Sequence, residues 1–219
     1  MPVTGLKLSI LAVVVAALTM APAAWGTGIT FTLGNHPQPG EENVLLNNGT
    51  TGTTVFGVTN ITHTTETFTS SQTLNEPSSG QARIEAISAT GSHIGLTNIT
   101  ISLAGHTFTD LIFNPSITGT VGVPGGTLNV SVTDIHGNVF PFSYTLGNGN
   151  NFLTIVATGG DRLVSASLQY SLSAGFTDLR QIRLSGIATV PEPGAELLLG
   201  LGTLGLMGLA TASRKLIST

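Results

Sequence analysis

The 219 residues include no cysteine, which removes disulfide scaffolds, thiolate metal sites and cysteine nucleophiles from consideration. Charge is scarce too: 8% of residues are Asp, Glu, Lys or Arg, against about a quarter in ordinary soluble domains. Seven Lys plus Arg against eleven Asp plus Glu leave a net charge of -4, so no basic stripe can neutralise a phosphate backbone and nucleic acid is excluded as a partner. Aromatics make up 5%, with Trp25, Tyr144, Tyr170 and nine phenylalanines. A site that stacks sugars on flat exposed rings therefore has a poor supply, its candidates being the two tyrosines. Missing as well is any long segment of 3.6-residue apolar period before the last 30 residues, which argues against a helical body.

What fills the chain instead is alternation of period two. Ile29, Phe31 and Leu33 alternate with polar or small residues, as do Ile99, Ile101 and Leu103. Leu128, Val130 and Val132 are opposed by Asn129, Ser131 and Thr133, and Ile182 and Leu184 by Gln181 and Arg183. Gly, Asn and Pro clusters punctuate these runs at 47–49, 124–126, 136–138, 147–150 and 159–161. The pattern predicts an all-β body over 27–189, a single antiparallel β-sandwich of jelly-roll or immunoglobulin-like topology. Pro141, within Phe140-Pro141-Phe142-Ser143-Tyr144, lacks an amide donor and suits an edge strand or bulge. The polar stretches 35–54 and 70–80 read as long loops. Two echoes stand out, Thr59-Asn60-Ile61-Thr62 with Thr97-Asn98-Ile99-Thr100, and Phe108-Thr109-Asp110-Leu111 with Phe176-Thr177-Asp178-Leu179; such four-residue matches arise easily in a Thr-rich chain, the alternative being that they mark equivalent strands in two sheets.

Both ends carry address signals. Residues 1–26 open with Lys7, run through apolar and small residues from Leu8 to Met20, and close on Ala21-Pro22-Ala23 and Ala24-Trp25-Gly26. That grammar predicts a secretory signal peptide, the run being shorter than the roughly 20 residues that span a bilayer. Residues 190–219 begin Val190-Pro191-Glu192-Pro193-Gly194, continue without charge from Leu197 to Ala212, and end in Arg214, Lys215 and four further residues. The prolines favour an extended handle. Residues 197–212 are predicted to form a single hydrophobic helix about 24 Å long at 1.5 Å per residue, short against a core of about 30 Å. Arg214 and Lys215 favour the cytoplasmic side, as Lys7 does, which places the body outside the inner membrane.

This order of Val-Pro-Glu-Pro box, short Gly/Leu-rich run and basic end resembles the PEP-CTERM sorting signal of exported bacterial proteins. The resemblance implies recognition of Pro191, Glu192 and Pro193 by exosortase, a membrane protease-transpeptidase. The C-terminal helix would hold the protein in the membrane of a Gram-negative-type bacterium until processing sends it to the cell surface or extracellular matrix. Many family members end in a dense arginine cluster, whereas here Leu216, Ile217, Ser218 and Thr219 follow the basic pair. The body, at Gly80 to Glu85, Gly147 to Thr154 and Phe176 to Arg183, also resembles domains found with this signal, which adds a fold expectation and no chemistry.

Within the body, Asp178 and Arg180 lie at i and i+2, on one face of a strand, with Arg183 on the other. They read as a structural ion pair clamping the last strand, the alternative being an acidic or carbohydrate ligand held by arginine; Arg83 and Glu85 repeat the geometry. Histidines 36, 63, 93, 106 and 136 include no i, i+4 or i, i+2 pair, and Asp134 with His136 reads as a turn rather than as metal ligands, so neither metal nor cofactor is expected. No Gly-x-Ser-x-Gly elbow occurs. The sequons at Asn48, Asn60, Asn98 and Asn129 would, if modified, mark surface positions. The expectation is a non-catalytic exported surface or matrix protein; the alternative is a carbohydrate-binding module attached to the cell surface or exopolysaccharide.

Overall fold

A computed structural model describes residues 28–46, 49–77, 83–119 and 121–190. The predicted signal peptide over 1–26, Pro191, Glu192, Pro193, the helix over 197–212, Arg214 and Lys215 lie outside the described residues. Those described are all-β, with no helix among them. Their strands are β1 (Gly28–Leu33), β2 (Glu42–Leu45), β3 (Thr51–Thr59), β4 (Thr65–Asn75), β5 (Arg83–Ile87), β6 (His93–Ile94), β7 (Asn98–Leu103) and β8 (His106–Thr107). They continue as β9 (Asp110–Ile117), β10 (Thr127–Asp134), β11 (Val139–Thr145), β12 (Gly149–Asn150), β13 (Leu153–Thr158), β14 (Leu163–Tyr170), β15 (Asp178–Ser185) and β16 (Ala188–Thr189).

One antiparallel sheet runs β1-β13-β9-β15-β2-β3-β4-β7-β14-β10-β11, with β12 on β9 and β6 on β5. Strand β5 bridges β15 and β4, so β15 has β5 along its first half and β2 along its second. β11 ends the path, with Pro141 opposite Ser131, and β1 ends it on the other side. Those two ends meet: the Phe31 and Phe142 rings stack 4.9 Å apart and 3° from parallel. The path is thereby rolled into a barrel-like body around one core.

Alternation explains which face goes inward. In β7 the apolar Ile99, Ile101 and Leu103 are buried while Asn98, Thr100 and Ser102 are half-buried; β10 does the same with Leu128, Val130 and Val132. Phe68, Phe113, Leu168, Leu179 and Ile182 join them from other strands in one cluster. Each such side chain contributes about 1.5–3 kcal/mol on leaving water. Strand β9 is buried on both faces, Leu111 and Phe113 in the core and Asp110, Ile112, Asn114 and Ser116 on the outer side. Segments 34–41 and 150–151 attach over that outer side: Thr154 Oγ1 donates to Gly34 O at 2.9 Å, and Asn151 N to Asn114 Oδ1 at 2.8 Å. At the crossing of Gly95 and Gly175 the backbones touch, a Cβ on Gly95 falling 1.6 Å from Ala174 O. Only glycine fits there.

Three expectations need correcting. Residues 70–75 are strand, not loop, because β4 continues to Asn75, where Thr73, Leu74 and Asn75 pair with β5 and Leu74 is buried; within 35–54, likewise, β2 and the start of β3 form. The Phe-Thr-Asp-Leu echo opens β9 and β15, which are neighbours in one sheet rather than members of two. Thr109 N donates to Ser185 O and Thr177 N to Ser116 O, a reciprocal arrangement. The other echo falls on the β3 end and turn in one copy and on β7 in the other, so it marks no equivalence. Finally, Arg183 shares a face with Arg180. A bulge at Gln181, whose φ is 53°, shifts the register so that Arg180 pairs with Asn114 and Arg183 with Ile112, two residues apart on the outer side of β9.

Candidate functional site

The outer face of β15 gathers most of the body's cations. Of the four in the described residues, Arg83, Arg180 and Arg183 lie here, with Arg162 elsewhere. Register sets Glu85 opposite Asp178 and Arg83 opposite Arg180, placing like charges side by side across the strands. Compensation runs along each strand: Arg83 Nε lies 2.9 Å from Glu85 Oε1, and Arg180 Nε donates to Asp178 Oδ1 at 2.6 Å with a second bond from Nη2 to Oδ2. The Asp178 hydrogen bond holds the Arg180 guanidinium above its ordinary value against the opposing effect of burial. His93 Nδ1 adds a contact to Glu85 Oε2 at 2.7 Å. Each arginine is thus matched by the carboxylate two residues away on its own strand.

Two residues further on, the bulge opens a pocket. Gln181 and Ile182 have no partner residue on β9, β5 or β2, because the register skips them on both edges. A cavity of about 470 Å³ lies there, with polar side chains from Asn35, Asn43, Gln181 and Arg183 and the half-buried ring of Phe152. Val44, Leu45 and Ile182 supply the apolar part. Arg183 Nη1 donates to Glu41 Oε2 at 2.9 Å, and its Nη2 to Asn35 Oδ1. Gln181 Oε1 accepts from Asn114 Nδ2 at 2.9 Å, and Asn114 Nδ2 also reaches Asn150 Oδ1. Beneath, Asp110 accepts from Ser185 Oγ. Burial, reinforced by the Glu41 charge and opposed by Arg183, pushes the Asp110 carboxyl up to about 7.

The bulge was legible in principle. Leu179, Ile182 and Leu184 are the buried apolar residues of β15, and their spacing of three then two breaks the strict alternation that a regular strand would show.

Elsewhere, acidic groups act as staples for the chain. Eight of the nine Asp and Glu side chains in the described residues are buried, which in so weakly charged a chain assigns them to structure. Glu42 accepts from Thr62 N at 2.8 Å, Thr62 Oγ1 at 2.9 Å and Ile61 N at 3.3 Å. Burial raises its carboxyl, and these bonds with Thr59 outweigh that and hold it below its ordinary value. Asp134 accepts from His136 N, Asn138 N and Asn138 Nδ2 at 2.7–2.8 Å, closing the β10–β11 turn; these bonds likewise overcome burial and lower its carboxyl. Among the described residues no three His, Asp or Glu side chains gather as metal ligands would. His36 and His106 meet backbone carbonyls of Leu33 and Ala104.

Neither tyrosine is a sugar platform. Tyr170 is 2% exposed; its hydroxyl donates to Val123 O and accepts from Gly126 N, and its ring meets Phe176 edge-on. Tyr144 packs against the core, donates to Asn151 O at 3.0 Å, and has its phenol pushed upward by burial. The physical reason is alternation, which turns both rings inward from β11 and β14.

Of the sorting residues, Val190 is described. β16 pairs with β8, Ala188 opposite Thr107 and Thr189 opposite His106, and Val190 N donates to Gly105 O at 2.9 Å. Arg162 Nε donates to Thr107 Oγ1 at 2.5 Å and its Nη2 to Gly186 O, pinning the turn that leads into β16.

The class defined by these observations is an all-β antiparallel protein with a bulge pocket on one face. No family model and no curated protein matches the chain. Among solved structures it is similar to the enzymatically active domain of bacteriophage CBA120 tailspike protein 4, at 13% identity and a TM-score of 0.26 over 75% of this chain and 19% of that one. The C-terminal receptor-binding domain of avian reovirus fibre sigmaC aligns at 10% identity and a TM-score of 0.19, over 74% and 76% of the two chains. At such scores neither likeness carries an argument about fold or function.

Proposed function

We propose that the chain is an exported, non-catalytic surface or extracellular-matrix protein, sorted and processed by exosortase at Val190-Pro191-Glu192-Pro193. The observation that carries this reading is the order of the tail in the sequence, Val190-Pro191-Glu192-Pro193, an uncharged run over 197–212, then Arg214 and Lys215, following a β body whose Val190 N is tied to Gly105 O. In the sequence the box thus comes after the strands of the body, as a signal to be cut away from a finished domain requires. A signal peptide over 1–26 starts export, the 197–212 helix with Arg214 and Lys215 holds the chain in the membrane, and processing releases it. The body is a β-sandwich whose layers are β1-β13-β9-β15 and β3-β4-β7-β14-β10-β11, with β2 and β5 crossing between them; one shared core supports that division. Engagement of the carboxylates by turn amides and arginines supports the non-catalytic part.

The test is maturation in the native host. Combined Pro191→Ala and Glu192→Ala substitution is expected to leave a full-length C terminus in the membrane fraction, read by intact mass, while the unaltered chain ends near Pro193 outside the cell. Normal maturation of the double variant overturns the sorting reading. A second reading, a carbohydrate-binding module at the cell surface or on exopolysaccharide, is favoured by the amide-lined pocket beside Gln181.

A further inference from the structure

The pocket at the β15 bulge combines four features that ordinary sheet surfaces do not bring together. Backbone strain comes first: Gln181 is a non-glycine residue at φ 53°, a conformation that persists where surrounding structure enforces it. Uncommitted amides come second. Gln181 engages Asn114 through its Oε1, and Asn35 engages Arg183 through its Oδ1, so in both the NH2 group is the part without a partner. Asn43 makes its hydrogen bonds to Asn60 through its main chain, which leaves the whole side-chain amide. Third, the half-buried Phe152 ring and the 44% exposed Leu45 present apolar surface among these donors. Size is the fourth: about 470 Å³ lies within the range of small-ligand sites, roughly 300–1,000 Å³.

Charge decides the ligand class. Arg183 is the cation of the pocket, and it is already bonded to Glu41 with the Asp110 carboxyl close by. A free anion or an acidic sugar would meet two carboxyl groups for one guanidinium. What the pocket offers is neutral: amide NH2 donors and a spare amide carbonyl at the rim, with C–H and ring surface between them. Polyols match this, because their hydroxyls both donate and accept while their C–H faces lie on apolar surface.

We propose that this pocket binds one or two rings of a neutral saccharide, with Asn43, Gln181 and Asn35 bonding its hydroxyls and Phe152 and Leu45 covering its C–H face. The inference deepens the carbohydrate-binding reading and is independent of sorting, since it is argued from residues outside the 190–193 box.

The experiment uses the full chain, purified in a detergent without a sugar headgroup, on an array of neutral gluco-, galacto- and manno-oligosaccharides alongside uronic-acid oligosaccharides. Saturable binding to a neutral member is expected, weakened about tenfold by Asn43→Ala and by Gln181→Gly, each of which removes about one hydrogen-bonding amide. Asn43→Ala touches no intramolecular side-chain bond, so its melting temperature is expected to match the parent and separates lost binding from lost folding. Ser143→Ala, whose hydroxyl meets Asn129 on the β10–β11 pair and lines no part of the pocket, is expected to bind normally. No saturable binding to any neutral glycan, binding confined to uronic acids, or binding indifferent to both pocket substitutions overturns the proposal. None of those outcomes touches the sorting reading, which stands or falls on the C-terminal mass.

Discussion

Glu66 is the acid that staples nothing. It sits in β4 between Gly57 of β3 and Leu103 of β7, on the same face as Phe68, fully buried, with neither oxygen hydrogen-bonded. Burial alone pushes its carboxyl well above the ordinary value, so the group enters the core as the neutral acid. A neutral polar group buried without a partner costs about 1–3 kcal/mol by mutational measures, and leucine at this position would remove that cost at similar volume. Glu66→Leu is therefore expected to stabilise the fold by about 1–3 kcal/mol, which at roughly 2–4 °C per kcal/mol for a body of this size raises the melting temperature by about 2–12 °C. Glu66→Gln keeps an unpartnered polar group and is expected to gain little.

The pH dependence supplies an independent check. Because the folded-state value lies above the unfolded one, the folded state holds a proton that the unfolded chain has released. Glu66 therefore withdraws stability as pH rises from the ordinary value of 4.5 toward its raised value. Urea midpoints of parent and both variants, taken from about pH 4 to about pH 8, measure this as a difference in slope. Parent stability should fall relative to both variants as pH rises. A destabilised leucine variant, or parallel slopes, would refute the assignment of an unpartnered acid.

Asp110, raised to about 7, acts in the same direction: parent stability is expected to decline between about pH 4 and pH 7, and Asp110→Asn to flatten that part of the profile in denaturant titrations. Asp134 and Glu42 act oppositely. Their lowered values make their contributions present above the ordinary carboxylate range and lost as pH falls through the folded-state values, and Asp134→Ala is expected to cost about 1–3 kcal/mol in urea unfolding at neutral pH by freeing the His136 and Asn138 amides. Arg162→Met is expected to speed hydrogen exchange at the Val190 amide while leaving exchange at Ile101 unchanged, because Arg162 ties Gly186 and Thr107 at the root of β16.

Much of the architecture was readable because alternation in Ile99–Leu103 and Leu128–Val132 is a direct imprint of a sheet with one buried face. Where the reading failed, a long-range condition had intervened. Ser70 to Asn75 look like loop by composition, yet a strand forms because Thr73, Leu74 and Asn75 find β5 alongside. Arg183 leaves the face that its sequence parity predicts because one bulge reverses every side chain after it. By residue type alone Tyr144 and Tyr170 are the candidate sugar platforms, and only the packing shows their hydroxyls committed to main-chain groups. The amides of the pocket come from Asn35, Asn43 and Gln181, too distant along the chain for any local pattern to join them.

The β8–β16 ribbon has a mechanical consequence. A pull on the C-terminal segment reaches Val190 first, then Thr189 and Ala188, and these detach from Gly105, His106 and Thr107 one contact at a time, as a zipper opens. Next in line is Arg162's grip on Gly186, and only after it the load arrives at β15, which is flanked by β9 on one edge and by β5 and β2 on the other. The ribbon is thus a fuse: it yields under tension that leaves the sheet intact, and it lengthens the chain between the sheet and the point of pulling as it does so.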